Sequence, residues 1–449
     1  MEQVKEKSDT KFDKLMLGES PVLIGQRSIS VSPLRQQLSL ELHSRPAPKV
    51  SNPTSVSHVA IRVNLEDRQR EYQHLSSFCH RYSVNPPCME ASCFFQDFGG
   101  FELRWEKHLE FSTYSFIRKG QGKQLFDGYS IERVPQHWFD DLVGELVCAI
   151  NLVFTQETLS EHDIYQGFEG QQVIGSRVAA GRALVYSSFR LHSDGFSRTL
   201  IHSEQLNRHQ AGRLIQRILE IETYQMLALL SLPIARELSP KVSEMEQELV
   251  QLNQQMVNLS QHDDSDMLDR LSHLAGQTEQ LIADISYRFS ATNAYYALVC
   301  TRLDQLNEQD IVGLERINEF VTRRLTPGIR TCQALNQRLE DLTRRIARAS
   351  SLLRTRVDLS IEQQNQQLLH AINQRGKIQL RLQQMVEGVS VAAMAYYLVG
   401  LLEYILNAFN ANGYTLNKMI LEGLAVPFFL FFAWWLFRFA MGYVKKESE

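Results

Sequence analysis

The sequence predicts an α+β cytoplasmic head followed by a helical hairpin, a long stalk helix and two C-terminal transmembrane helices. Up to about residue 202, apolar and polar residues alternate in short runs, which is typical of strands. After residue 203, apolar residues recur every three or four positions, as on one face of a helix. Two long apolar runs then fill most of residues 389–444, which indicates membrane spans.

The charge balance argues against a protein dedicated to nucleic acid. The 449 residues include 47 Lys and Arg against 51 Asp and Glu, and 47 − 51 gives a formal net charge of −4. A surface that binds phosphates over its whole extent needs an excess of basic residues. We therefore expect no nucleic-acid partner.

Residues 1–50 are predicted to form an N-terminal arm, because they contain several prolines and no sustained periodicity. Their first twenty residues are rich in charge and lack an apolar run, which predicts a cytoplasmic N-terminus. Residues 51–202 are predicted to form the α/β head. Its expected strands are 56–63, 93–97, 101–107, 110–118, 146–156 and an interrupted run at 172–189, with a helix at 66–82.

Residues 203–327 are predicted to be helical and to fold back as a coiled-coil hairpin. One helix carries a seam at spacings of three and four: Val242, Met245, Leu249, Leu252, Met256 and Leu259. Its antiparallel return carries Leu268, Leu271, Ala275, Thr278, Ile282 and Ile285. The acidic turn between them contains Asp263, Asp264, Asp266 and Asp269, which either bind a divalent cation between subunits or form a solvated turn.

Residues 328–388 are predicted to form a stalk helix, which begins after a break at Pro327 and Gly328. No proline occurs between Gly328 and Leu406, so a single helix over that stretch is ~120 Å long. Its seam becomes rich in Gln and Asn after Ile361. Such residues either fix the register of a self-assembly or line a hydrated channel, and the alternative is a solvated helix face.

Residues 389–444 are predicted to form a two-helix transmembrane hairpin. The runs 389–406 and 420–444 are each long enough to cross a lipid bilayer. Basic residues precede the first run and Lys445 and Lys446 follow the second, in a short cytoplasmic tail at 445–449. By the positive-inside rule, we expect a bacterial inner-membrane protein with both termini in the cytoplasm.

The order of these segments resembles the CorA-type magnesium channels. That resemblance implies a homo-oligomer, by analogy a pentamer, which conducts Mg²⁺ or another divalent cation. The Gly-Met-Asn triplet of that family is absent, and outer-loop candidates stand in its place: Asn410, Asn412, Gly413 and Tyr414.

In its motifs, the chain is similar to a bacterial family of membrane-anchored proteins that is known only as a domain of unknown function. The resemblance covers the chain from about residue 34 to its end. The segments that carry it are ELHSRP at 41–46, RWEKHLEFSTY at 104–114, FRLHSDGFSR at 189–198, EIETY at 220–224 and VEGVSV at 386–391.

One face of the first predicted membrane helix collects small and polar residues. Ala393, Tyr396, Gly400, Glu403 and Asn407 follow one another at spacings of three and four, so they share that face. In a cyclic assembly, Glu403 becomes a ring of carboxylates, which is one way in which a pore selects cations. The alternatives are an interfacial carboxylate that reaches water and a packing face between helices.

A second set of candidates is a polar cluster in the head. Because alternate residues of a strand share a face, we expect one face of the sheet to carry Arg104, Glu106, His108 and Glu110. On the last predicted strand, the same alternation groups Arg190, His192 and Asp194. Glu41, His43 and Arg45 of the arm belong to the same set. A histidine between carboxylates can transfer protons or bind a divalent metal, whereas the alternative is a ladder of ion pairs on a solvated face.

Three functions are compatible with this pattern. The first is a homo-oligomeric cation channel, with Mg²⁺ or another divalent cation as its cargo, and the second is a non-conducting scaffold or sensor whose head meets a cytoplasmic partner. The third is a membrane-tethered enzyme. It requires His108, His192 and neighbouring acids to converge on one pocket. The lipid bilayer and a second copy of the chain are the expected partners.

Overall fold

The computed structural model describes residues 22–24, 27–29, 32, 34–35, 38–39, 47–120, 125–258, 264–411 and 418–446. The chain divides into two compact units. The first contains Met1–Leu252 and Leu271–Ala347, and the second contains Asn253–Arg270 and Arg348–Glu449. Within the first, two short strands, β1 (Val22–Ile24) and β2 (Arg27–Ile29), pair with each other.

The head is built on a sheet of eight strands. In chain order these are β3 (Thr54–Arg62), β4 (Cys93–Asp97), β5 (Glu102–Lys107), β6 (Phe111–Lys119), β7 (Glu145–Thr155), β8 (Ile174–Val178), β9 (Ala183–Ser187) and β10 (Ser197–His202). Their order across the sheet is β4-β5-β6-β3-β7-β10-β9-β8. Neighbours are antiparallel except β7 and β10, which are parallel.

Short helices connect the strands, and long helices follow them. The short helices are α1 (Arg68–Arg81), α2 (Gln136–Asp140) and α3 (Glu161–Gly167). The long ones are α4 (Arg208–Leu229), α5 (Ser231–Asn258), α6 (Asp264–Asp304), α7 (Ile317–Ala411) and α8 (Lys418–Lys446). This confirms the predicted mixture of an α+β region with long helices.

Alternation on the strands gives the sheet two apolar faces. On β3, Val56 and Ala60 belong to one core, whereas Val59 and Ile61 belong to another. The first core lies beneath α4 and includes residues of α6 and the beginning of α7. The second is rich in aromatic rings and packs against α1 and Trp138. Helix α4 therefore covers one face of the sheet.

Most of the predicted strands are present, but the run at 172–189 is two strands, β8 and β9, joined by a tight turn. Ala179, Ala180 and Gly181 in that turn have positive φ angles, which reverse the chain. Strand β10 was not predicted. It lies between β9, which directly precedes it in the chain, and β7, which is distant in sequence, so its burial depends on pairing that no local pattern indicates.

The predicted helical hairpin is present as α5 and α6, but the seam of α6 is shifted. Its buried residues are Met267, Leu271, Leu274, Thr278, Leu281, Ile285 and Phe289, whereas Leu268, Ala275 and Ile282 are half-buried beside them. Both sets have spacings of three and four, so periodicity alone does not distinguish adjacent stripes of one helix. Leu259 lies outside the described residues.

The expected break at Pro327 is wrong, because α7 begins at Ile317 and passes through that proline. Phe320, Val321, Leu325 and Ile329 on either side of it are buried in the core beneath α4. This burial outweighs the cost of about 3 kcal/mol that proline imposes inside a helix.

Within the described residues, two helical stretches are long and apolar enough to cross a membrane. One is Arg208–Val257, whose most apolar window is 50% buried in the protein, as expected for a helix that covers a sheet. The other, Ile317–Ala408, includes the first predicted span, and its most apolar window is only 11% buried. The second predicted span lies in α8, where Gly423–Leu436 is a shorter apolar helix.

Candidate functional site

A cavity of about 280 Å³ lies between the sheet and α4 in the first unit. Strands β3, β5 and β6 form its floor, and α4 and Arg302 of α6 form its other walls. Its lining residues are Pro48, Val56, His58, Arg104, Glu106, His108, Phe111, Thr113, Ser115, Ile117, Ile215, Gln216, Leu219, Glu220, Thr223, Tyr224 and Arg302. Small-molecule sites are concave, with apolar walls and a few polar groups, and this cavity has that composition.

The polar floor follows from strand pairing. Arg104 of β5, Ser115 of β6 and His58 of β3 lie in one row across the sheet. Glu106 and Thr113 are paired in the next row. Because alternate side chains of a strand share a face, both rows point to the side that α4 covers.

An ion pair lies on this floor. Nη2 of Arg104 donates to Oε1 of Glu106 at 2.8 Å, and the two side chains are 6% and 14% exposed. A guanidinium has five N–H donors. Among the described residues, the hydrogen bonds of Arg104 use one of them, so further donors are available to a bound molecule.

His58 holds the floor against α4. Its Nδ1 lies 2.7 Å from Oγ of Ser115 and its Nε2 lies 3.1 Å from Oγ1 of Thr223. Burial, and secondarily the charge of Arg104, lowers the pKa of His58 to about 3. The imidazole is therefore neutral at physiological pH, and one of its nitrogens donates while the other accepts.

The helical wall carries a second ion pair. Arg302 donates from Nε to Glu220 of α4, and Gln216 donates to the other carboxylate oxygen of Glu220 at 2.8 Å. This pair is more exposed than Arg104 and Glu106, since its side chains are 30% and 20% accessible. Two guanidinium and two carboxylate groups thus line one cavity.

Thr113 has an unsatisfied hydroxyl. The residue is 4% exposed, and its Oγ1 has no hydrogen-bond partner among the described residues. A buried polar atom without a partner costs about 1–3 kcal/mol, so native proteins rarely retain one. Because Thr113 lines the cavity, a bound molecule is a natural partner for this hydroxyl.

These groups are arranged for binding rather than for acid–base chemistry. Ser115 and His58 have the spacing of a nucleophile and its base, but a histidine with a pKa of about 3 is a weak base at neutral pH. Its second nitrogen contacts a hydroxyl, not a carboxylate that stabilises an imidazolium. His58 and Ser115 therefore lack the features of an activated nucleophile and its base.

A buried carboxyl lies farther along α4. Glu222 is 2% exposed and accepts hydrogen bonds from Ser197 at 2.5 Å and Thr199 at 2.8 Å. Burial raises its pKa to about 7, although both hydroxyls oppose that rise. Glu222 is not part of the cavity lining, but it links the helix that covers the cavity to strand β10.

The structure brings together only part of the predicted head cluster. Arg104, Glu106 and His108 line the cavity, but β5 ends at Lys107, so His108 and Glu110 lie in the turn before β6 and not on a strand. The His108 ring stacks on Phe111, with centroids 4.1 Å apart. Glu110 instead accepts two hydrogen bonds from Arg288 of α6, at 2.6 and 2.8 Å.

Arg190, His192 and Asp194 are not on a strand either, because they lie in the loop between β9 and β10. His192 lies 2.9 Å from Ser188 and 3.3 Å from Glu169, whose carboxylate also accepts from Arg198. Asp194 pairs with Arg198 at 3.2 Å, and Arg190 is exposed. These contacts fix the loop, and none of these residues lines the cavity, so His108 and His192 do not converge as the enzyme hypothesis requires.

Several candidates lie outside the described residues: Glu41, His43, Arg45, Asn412, Gly413, Tyr414 and Asp263. Asn410 lies in α7 near its end. Asp264 is buried at the beginning of α6, with Oδ2 3.5 Å from Nε of Arg356, whereas Asp266 and Asp269 are exposed. Among the residues searched, no group of three His, Cys, Asp or Glu side chains could hold a metal ion.

The predicted pore face lies on the last part of α7. Among the side chains that the structure describes in this part of α7 and in α8, the buried ones are Ala395, Leu406 and Ala433. On the predicted pore face, the exposed residues are Ala393, Tyr396, Glu403 and Asn407, and Gly400 is half-buried.

Several cavity residues were missed by sequence reasoning, notably His58, Thr223, Glu220 and Arg302. Arg302 lies more than eighty positions from Glu220, its ion-pair partner, and no local pattern links them. One signal was available. Two of the segments that carry the family resemblance, at 104–114 and 220–224, both contribute to this cavity.

Fold and site together define an α+β protein that has a small-molecule cavity beneath a helix and a long helix with an apolar, exposed stretch. A family model described as "Protein of unknown function (DUF3422)" matches residues 30–441. The chain belongs to that family. No curated protein and no solved structure matches the chain, so the likeness to CorA-type channels rests on segment order alone.

Proposed function

We propose that this protein is a membrane-anchored, self-associating sensor whose head binds a small molecule. The cavity beneath α4 is the observation that carries the proposal, because it combines two ion pairs, an unsatisfied hydroxyl and apolar walls. The head lies in the cytoplasm and binds its ligand there. A cytoplasmic partner then responds to the loaded state.

The anchor is formed by the end of α7 and by α8, in the bacterial inner membrane. Large apolar side chains such as Tyr397, Leu401 and Phe431 are more than half exposed, which is favourable in lipid but costly in water. Basic residues flank these stretches at Arg375, Lys377, Arg381, Lys445 and Lys446. This distribution favours both termini on the cytoplasmic side.

Self-association is supported by an apolar stripe on α7. Six residues on its heptad positions are apolar and more than half exposed, namely Ile361, Leu368, Ile372, Leu382, Val386 and Val389. Asn365, Arg375 and Gln379 hold the three polar positions between them, and polar residues at such positions fix the register of an assembly. Leu369, Ile378 and Met385 adjoin the stripe and are exposed as well, so the apolar face is wider than a two-helix seam requires. The same heptad continues through Ala393, Tyr396, Gly400, Glu403 and Asn407. We expect this stripe to pack against the same stripe in other copies of the chain.

A pair of leucines tests self-association. Leu382 lies on the stripe, and Leu380, equally apolar and 60% exposed, lies on another face of the same helix. Native mass measurement of the detergent-solubilised protein is expected to show an oligomer for the wild type and for Leu380→Asp. Leu382→Asp is expected to shift the mass toward the monomer, because a charge at a seam position must be desolvated. A monomeric wild type, or equal masses for both variants, contradicts the proposal.

The second candidate is a cation pathway along the first membrane helices. The observation that favours it is the solvent exposure of Ala393, Tyr396, Glu403 and Asn407, which share one face of α7. In a cyclic oligomer this face surrounds the axis and Glu403 forms a carboxylate ring, which suits Mg²⁺ or another divalent cation.

Liposome flux measurements test the pathway. Purified protein is expected to pass Mg²⁺, Co²⁺ or K⁺, Glu403→Ala is expected to reduce the divalent flux, and Glu387→Ala, which lies off this face, is expected to leave it unchanged. The absence of flux from a well-folded oligomer excludes the channel and leaves the sensor.

A further inference from the structure

We propose that the cavity beneath α4 binds a small zwitterion with an apolar tail, which is the chemistry of an aliphatic α-amino acid such as leucine. This inference rests on the proposed function, and it names the ligand class of the sensor. It is carried by the balance of charges in the cavity, by the unused hydrogen-bond donors and by the size and shape of the apolar wall.

The fixed charges of the lining cancel. Arg104 and Arg302 contribute two positive charges, and Glu106 and Glu220 contribute two negative ones. A phosphate or a simple carboxylate meets as many carboxylates as guanidinium groups there, so the site offers a net anion little advantage. A zwitterion, in contrast, finds an opposite charge for each of its ends.

The inner ion pair provides both contacts. Arg104 has N–H donors beyond the one given to Glu106, and the neighbouring Thr113 hydroxyl has no partner, so together they suit a carboxylate. Glu106 accepts from Arg104 through Oε1, which leaves Oε2 for an ammonium group. Glu106 and Thr113 are paired across β5 and β6, so these contacts lie side by side.

The remaining lining suits a short aliphatic tail. Val56, Ile117, Ile215 and Leu219 are apolar wall residues, and Phe111 adds an aromatic face. A cavity of about 280 Å³ is at the small end of the ~300–1,000 Å³ range of ligand pockets, which suits a molecule as small as leucine.

Calorimetric titration of the full chain in detergent with three probes tests the ligand class. The probes are L-leucine, isocaproate, which lacks the amino group, and isoamylamine, which lacks the carboxylate. Leucine is expected to bind, and each analogue is expected to bind at least tenfold more weakly, because each leaves one member of the buried ion pair unmatched. Equal binding of either analogue, or no binding of leucine, overturns the inference.

A pair of isosteric variants tests the location. Thr113→Val removes the unsatisfied hydroxyl and is expected to weaken leucine binding by about tenfold or more while the protein stays folded. Thr343→Val removes another buried hydroxyl without a partner among the described residues, on α7 and outside the cavity lining, and is expected to leave binding unchanged. Wild-type affinity in Thr113→Val contradicts the assigned site.

The native mass measurement distinguishes a failure of the ligand assignment from a failure of the proposed self-associating sensor. If the wild type is oligomeric and isocaproate binds as tightly as leucine, the sensor stands with an acid as its ligand. If none of the three probes binds, the zwitterion is excluded whatever the oligomeric state.

Discussion

At the scale of single residues, Glu222 links the folding of the head to pH. Its carboxyl is buried between α4 and β10, and its pKa is raised by burial from 4.5 to about 7. The folded chain therefore binds this proton more tightly than the unfolded chain does. The stabilisation is complete below about pH 4.5 and is lost as the pH rises through 7.

Glu222→Gln is expected to remove this dependence, because a neutral amide of the same shape replaces a carboxyl that must ionise in a buried site. Between pH 5 and pH 8, the free energy of unfolding of the wild type is expected to fall by about 2–3 kcal/mol more than that of the variant. Denaturation in detergent at both pH values measures this difference. Glu237→Gln, at an exposed position, serves as the control and should follow the wild type. Parallel pH curves for the wild type and Glu222→Gln exclude the buried ionisation.

Two ion pairs at the beginning of helix α1 differ in burial, and they should contribute differently to the free energy of unfolding. Arg68 donates to Glu71, which is 2% exposed and also accepts from Trp105 and Tyr114. Glu71→Ala is expected to cost about 3–5 kcal/mol of unfolding free energy, because Arg68 loses its counter-charge and keeps only neutral acceptors, while the donors of Trp105 and Tyr114 lose their acceptor.

The matched control is Asp67→Ala, which removes the partner of Arg70, a residue that is 72% exposed. Solvated pairs are worth about 0–1 kcal/mol. Chemical denaturation of both variants measures the difference. Equal losses of unfolding free energy in the two variants would show that the buried network stabilises the fold no more than the exposed pair does.

At the scale of elements, the contact between α4 and the segment before β3 closes one side of the cavity. Gly212 lies so close to the carbonyl of Pro48 that a Cβ atom would overlap it, and Pro48 lines the cavity. Gly212→Ala is expected to separate these elements and to destabilise the head by about 1–3 kcal/mol.

Gly276→Ala on helix α6 is expected to have the opposite effect and to stabilise the protein. No atom lies within 4 Å of a Cβ at Gly276, so alanine should stabilise α6 by up to about 1 kcal/mol. Thermal unfolding of the two variants should therefore shift in opposite directions. A neutral Gly212→Ala would mean that Pro48 is not held against α4.

The sequence pattern predicted the elements whose burial is decided locally. Strands β3 to β7 and helix α1 have clear alternation or helical periodicity, and their predicted bounds lie within about two residues of the observed ones. Strand β10 was missed because its place between β7 and β9 depends on pairing across the sheet. Pro327 was misread because tertiary burial of Phe320 and Ile329 outweighs the local signal.

The cavity was predicted only in part for the same reason. Arg104 and Glu106 alternate on one strand, so their shared face could be read from the sequence. His58, Glu220 and Arg302 reach the same space from β3, α4 and α6, and nothing in their neighbourhoods in sequence indicates that convergence. His192, by contrast, was grouped by residue type and lies in a separate network.

At the scale of the whole molecule, the proposed function requires that the exposed apolar side chains of α7 and α8 lie in lipid. Residues such as Tyr404, Phe428 and Phe439 are more than half exposed. Lipid removes the cost of that exposure, whereas a water-soluble protein retains it. The sensor and the channel both require that these helices lie in a bilayer.

Membrane partition of the full chain tests this requirement most directly. Cell membranes are washed with alkaline carbonate and then floated through a density gradient, and the chain is followed by immunoblotting. The protein is expected to stay with the lipid through the wash and to float with it. Release of the chain into the carbonate wash would contradict the account.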